Sequence, residues 1–200
     1  MSINLVKGQK IDLTKTSIGL SKVMVGLGWD PMERRSGIFG GLFSGAPSNI
    51  DCDASAILLD ANNKMRQKSD LIYYGNLRSR DQSIIHQGDN LTGDGDGDDE
   101  QIMIDLTSVS SEIKKIVFVV NIYEAIKRRQ DFGMIQNAFI RVVNLDDNNE
   151  LCKFNLSEDY AGKTSLIVGE IYRENDAWKF GAVGQATNDS SLSELIRIYK

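Results

Sequence analysis

Proline and cysteine are nearly missing from this chain, with two of each in 200 residues, and histidine occurs once. So few prolines leave long stretches free to donate every backbone N–H to a β-ladder. Cys52 and Cys152 lie too far apart in the sequence to form a disulfide framework, and each reads as a core thiol. The lone His86 excludes His-rich zinc sites and most His-dependent catalysis. No apolar run approaches the roughly 20 residues that a membrane helix needs. Met1–Lys10 alternates apolar and polar residues without a signal-peptide core, which predicts a cytoplasmic protein. Neither a phosphate-binding Gly-x-x-x-x-Gly-Lys-Ser/Thr loop nor a Gly-x-Ser-x-Gly nucleophile turn occurs.

Basic residues are missing from one long stretch. Between Arg80 and Lys114 there is no Lys or Arg, while Asp81, Asp89, Asp94, Asp96, Asp98, Asp99, Glu100, Asp105 and Glu112 all fall there. Of 28 acids in all, that leaves 19 for the rest of the chain against its 23 basic residues. The protein reads as a near-neutral body carrying one dense anionic segment. Nucleic-acid binding is disfavoured, because counterion release needs clustered cations; Arg34-Arg35 and Lys127-Arg128-Arg129 are too short to supply them.

What is abundant is period-two alternation with β-branched and aromatic residues. Strands are predicted in Ile3–Leu13 (two, around Lys7–Lys10), Ser21–Leu27, Ser55–Leu59, Leu71–Tyr74, Gln101–Leu106, Phe139–Val143 and Leu151–Leu156. Ile113–Ile122 contains Ile116-Val117-Phe118-Val119-Val120, apolar on both faces, and reads as a central buried strand. Leu166–Arg173 and Trp178–Val183 flank a hairpin turn at Glu174-Asn175-Asp176. Tyr123–Arg129 and Ser191–Tyr199 read as short helices, and Trp29 and Trp178 as core residues. The expected fold is all-β dominated, a β-sandwich of two mostly antiparallel sheets with a few short helices. It forms one domain over 1–200, with a Gly-rich loop inserted at about 32–49 that carries Ile38, Phe39, Leu42 and Phe43.

Gly88 to Glu100 interleaves glycines with carboxylates. Glycine allows tight turning, so several carboxylates can converge. Two like charges about 4 Å apart repel by roughly 4 kcal/mol at an effective dielectric near 20. Several such pairs would rival a folding stability of about 5–15 kcal/mol. Either the loop is splayed in water or cations sit within it. The donors are hard oxygens, which select Ca²⁺ over zinc, and the irregular loop suits Ca²⁺ better than Mg²⁺. Asp94, Asp96, Asp98 and Asp105 match EF-hand positions, but Asp99 stands where the EF-hand needs glycine and the flanks read as strands. A calcium loop on a β scaffold is therefore expected. Asp51, Asp53 and Asp30, at strand ends, are candidates to complete it, although aspartates there also cap turns. His86 lies in the loop's negative field, with a hydrogen-bonded strand-end role as the plainer alternative.

Val25-Gly26-Leu27-Gly28-Trp29-Asp30, Asp51-Cys52-Asp53-Ala54-Ser55-Ala56, Gly88 through Glu100, Asn137-Ala138-Phe139-Ile140-Arg141 and Trp178-Lys179-Phe180 together resemble the TerD family of tellurium-resistance and general stress proteins. The resemblance runs over nearly the whole chain; the Gly-rich 32–49 segment looks longer than usual for the family. It implies a β-sandwich holding two calcium ions, with Asp30, Asp51, Asp53, Asn76, Asp89, Asn90, Asp94, Asp96, Asp98, Asp99 and Glu100 as the metal-site residues.

The expected function is a non-enzymatic, calcium-binding scaffold in bacterial chemical-stress and tellurite resistance, with no catalytic residues. Its partners would be calcium and other proteins of the resistance system, membrane-associated ones included, but neither nucleic acid nor the bilayer interior. Two alternatives stay open: a metal-dependent enzyme acting on a phosphate-bearing substrate, and a calcium-dependent nucleotide-binding or membrane-peripheral adaptor using the 32–49 loop.

Overall fold

The structure is a computed structural model describing residues 2–31, 50–88, 97–156 and 158–200. The strands in chain order are β1 (Ile3–Leu5), β2 (Lys10–Asp12), β3 (Lys22–Pro31), β4 (Cys52–Leu59), β5 (Leu71–Ile72) and β6 (Ile84–His86). They continue with β7 (Glu100–Asp105), β8 (Lys115–Ile122), β9 (Ile135–Asn144), β10 (Glu150–Asn155), β11 (Ser165–Glu174) and β12 (Ala177–Thr187). Three one-turn helices accompany them: α1 (Leu13–Thr16), α2 (Ala125–Arg128) and α3 (Leu192–Leu195).

Two six-stranded sheets form the sandwich. The first runs β1-β10-β9-β3-β7-β6 and the second β2-β12-β11-β8-β4-β5. Every pairing is antiparallel except β1 with β10. The mostly antiparallel β-sandwich expected from the alternation is the fold observed.

Alternation assigns the faces. Val23, Val25 and Leu27 of β3 meet Ile102 and Ile104 of β7 in the core between the sheets, where Cys52, Cys152, Trp29 and Trp178 also lie. Both cysteines are free thiols. In β8, Ile116, Phe118, Val120 and Ile122 face that core, while Val117 and Val119 face the opposite way. The outward set, with Ile57, Leu59 and Ile167, is covered by Leu195 and Ile196 of the C-terminal helical segment. The strand with two apolar faces is thus central because each face has its own cover. Ser191 starts α3 by accepting the Glu194 N–H. The β11–β12 turn is a two-residue loop with Asn175 at φ +50° and Asp176 at φ +61°. A tight hairpin of this twist needs positive φ at both central residues, which Asn and Asp tolerate.

Several elements depart from expectation. β3 runs on through Gly28, Trp29 and Asp30, past the expected end at Leu27, β9 starts at Ile135 instead of Phe139, and β12 continues to Thr187. β6, only three residues long, was not anticipated. The Gly-rich loop expected at 32–49 lies outside the described residues.

Candidate metal-loop site

The site lies where β6 and β7 of the first sheet meet the start of β4 in the second. Glu100 opens β7 facing inward and is 2% exposed, as is His86 at the end of β6. Both reach across the sandwich to one residue of β4, Ala54. Glu100 Oε2 accepts the Ala54 N–H at 2.9 Å, and His86 Nε2 lies 3.2 Å from the Ala54 carbonyl and 3.1 Å from Glu100 Oε2. β5 pairs with β4 only at Ala56 and Ile57. The two side chains therefore stand in for the neighbouring strand that β4 lacks at Ala54. The Gly88 N–H donates to His86 Nδ1 at 3.1 Å. His86 is a buried, hydrogen-bonded strand-end residue, the plainer of the two readings of the sequence.

The far end of the acidic segment is tied to β3. The Asp99 N–H donates to the Leu27 carbonyl at 2.8 Å, and Asp99 Oδ2 accepts the Trp29 N–H at 2.7 Å. Asp98 lies over Gly26. A Cβ at Gly26 would sit 2.3 Å from Asp98 Cγ, and one at Gly28 would meet the Phe139 ring at 2.4 Å and the Gly97 carbonyl at 2.7 Å. The two glycines of the Gly-Leu-Gly-Trp-Asp element thus open a seat for the returning loop. In that seat Asp98 accepts a bidentate pair from Arg141, Nε to Oδ1 at 2.7 Å and Nη2 to Oδ2 at 2.9 Å, with Gln101 Nε2 at 3.2 Å. Arg141 and Gln101 are the β9 and β7 partners of Gly26, so the register delivers both. The Asp98 side chain is wholly buried, and its hydrogen bonds hold the Arg141 guanidinium charged more firmly still. Part of the acidic crowding is therefore offset from inside the chain.

Asp51 and Asp53 flank Cys52 at the start of β4. Asp51 pairs with Arg128 at 3.4 Å, and Asp53, 4% exposed, accepts from its cross-strand neighbour Asn121 at 3.5 Å. Asp30, at the end of β3, accepts from Asn137 at 2.8 Å. Asn76 donates to the Leu71 carbonyl at 2.7 Å and closes the turn after β5. Burial first, then the charges of Asp53, Glu100, Asp51 and Asp99, push the Cys52 thiol well above the ordinary thiol range. Asp89, Asn90, Asp94 and Asp96 lie outside the described residues. Among the described residues, no group of three or more His, Cys, Asp or Glu side chains is arranged to hold a metal ion.

Sequence reasoning missed Arg141 as a counter-charge. The signal was present: a lone arginine inside the otherwise apolar run Phe139-Ile140-Arg141-Val142-Val143.

The TerD domain profile matches residues 1–199. The chain is 59% identical over 199 residues to "Stress response protein SCP2" of Bacillus subtilis (strain 168), covering 100% of each. It is 47% identical over 185 residues to "Tellurium resistance protein TerD" of Serratia marcescens, covering 92% of this chain and 91% of that one. A solved homologue of telluride resistance protein (TerD) from Streptomyces coelicolor A3(2) shares the fold, with TM-score 0.67 at 21% identity over 91% of this chain and 99% of that one. Along its length, then, this chain belongs to the TerD family, which holds tellurium-resistance and general stress proteins.

Proposed function

We propose that the protein is a calcium-binding, non-enzymatic module of bacterial chemical-stress and tellurite resistance, working in the cytoplasm as a scaffold for other proteins of that system. The observation that carries this reading is the anchoring of the acidic loop. Both ends are fixed, by Gly88 on His86 and by Asp99 on β3, close to the start of β4, where Asp51 and Asp53 flank Cys52 and Glu100 binds Ala54. The donor set is oxygen throughout, which suits Ca²⁺. Asp51, Asp53 and Asp30 would hold the ions together with carboxylates from 89–96, while Asp98 and Glu100 act chiefly as anchors. Bound calcium would neutralise the loop and stiffen it into a partner surface.

The lack of a catalytic role is favoured by how the reactive groups are held. His86 spends both ring nitrogens on internal hydrogen bonds, and its side chain is buried. The Cys152 thiol is pushed up to about 12, mainly by burial, and Cys52 is raised as well. Groups so placed make poor acids, bases or nucleophiles.

Calorimetric titration of calcium into metal-free protein tests the reading. The wild type should bind, and Asp51→Asn and Asp53→Asn should each weaken binding at least tenfold, whereas Asn76→Ser leaves it within threefold. Equal affinity in all four proteins would remove the site.

A further inference from the structure

Beside the metal-loop region, on the outer face of the second sheet, lies a cleft of about 480 Å³. Tyr73 and Tyr74 wall it on one side, Tyr123 follows β8 at its rim, and Ser191 ahead of α3 closes the other side. Asp53 and Asn121 line its depth, 4% and 6% exposed. Asn121 donates through Nδ2 to Asp53, and its own Oδ1 is buried with no hydrogen-bond partner. Buried polar atoms are nearly always paired, so an isolated acceptor lining a cleft marks the place of a missing donor.

We propose that this cleft binds a small organic cation, a primary ammonium, with its –NH₃⁺ on Asn121 Oδ1 and the Asp53 carboxylate and its carbon chain against the tyrosines. Three features select that chemistry. The lining carries the buried Asp53 carboxylate and no Lys or Arg, which disfavours anions and nucleotides; Glu124 at the rim is paired with Lys127 and Arg128 and adds no net charge. The walls offer aromatic rings, with Tyr73 and Tyr74 edge to face at 5.1 Å, and ring faces attract cations. At the rim, Arg128 already stacks over Tyr123 at 5.0 Å. The volume fits a small molecule and far exceeds a bare metal ion, which would want six to eight oxygen ligands where the depth presents one carboxylate and one amide oxygen. This proposal does not rest on calcium binding; it shares Asp53 with the proposed calcium site, so calcium and the ammonium compete for that carboxylate.

The test is calorimetric titration of metal-free full-length protein in EDTA at pH 7 with butylammonium chloride, with 1-pentanol as a neutral match in size. The wild type should bind butylammonium at least tenfold more tightly than 1-pentanol. Asn121→Leu and the surface change Tyr74→Ala should each weaken butylammonium at least tenfold; Tyr74 is 47% exposed, so that variant retains its core. Calcium affinity of Tyr74→Ala should stay at the wild-type value, which separates failure here from failure of the metal reading. Equal binding of the alcohol, no binding of butylammonium, or an unchanged affinity in Tyr74→Ala would each overturn the proposal.

Discussion

Arg141→Met tests how the acidic loop is held. The Asp98 side chain is fully buried and Arg141 is 30% exposed, with two charge-assisted hydrogen bonds between them. Removing one partner of a buried pair costs about 3–5 kcal/mol, because a charge is left without compensation. Water reaches the guanidinium side, so the lower end, about 3 kcal/mol, applies here. For a chain of this length that lowers Tm by about 6–12 °C. Asp98→Asn removes the stranded charge, so the double variant Asp98→Asn/Arg141→Met should recover part of the loss, with a coupling of at least about 1 kcal/mol. Urea unfolding of the four proteins in EDTA measures this without any metal contribution. Single-variant losses below about 0.5 kcal/mol that simply add would refute the buried pair. Gly26→Ala is an independent perturbation of the same seat, since its Cβ would collide with Asp98 Cγ, and it should destabilise comparably.

Three further outcomes follow from the structure. Hydrogen bonds from Ser83, Ser79 and Ser110 hold the Asp81 carboxyl below its usual range despite opposing burial, and the Thr107 hydroxyl leads in doing the same for Asp105. Groups depressed in the folded state contribute stability above the unfolded value of about 3.9 and lose it as pH falls through their folded values. Tm should therefore drop as pH falls below about 4, and a Tm rising on acidification through that range would contradict the assignment. Both thiols are buried and raised, so a disulfide reagent at pH 8 should label neither until denaturant is added; fast labelling of the native chain would contradict the burial. Leu195→Ala should cost about 2–5 kcal/mol in urea unfolding, because Leu195 is 1% exposed over Ile57 and Val119; a loss under about 1 kcal/mol would mean that the C-terminal segment is not part of that core.

Alternation carried most of the fold. The strands from β7 to β12 follow directly from their apolar faces, and the positive-φ turn at Asn175-Asp176 follows from turn chemistry. What was hidden depends on contacts distant in sequence. β3 outruns its expected end because Gly26 and Gly28 are vacant seats for Asp98 and Gly97, not breaks, and only the returning loop reveals this. β6 is too short for periodicity to register, and its role comes from His86 reaching Ala54 across the sandwich. Among site residues, the Asp51–Asp53 pair and the loop carboxylates were legible as composition. The Arg141 counter-charge and the Asn121 acceptor were not, because a polar residue in an apolar strand announces burial without naming its partner. Asn76 carries structural hydrogen bonds that sequence alone could not separate from a ligand's role.

The most direct measurement is the melting temperature of metal-free protein as calcium is added and then withdrawn with EDTA. A ligand confined to the folded state stabilises it by about 2.7 kcal/mol at a hundredfold excess over Kd, or about 5–11 °C here. A reversible rise of that size is the predicted result. An unchanged melting temperature, with no heat on titration, would contradict the account.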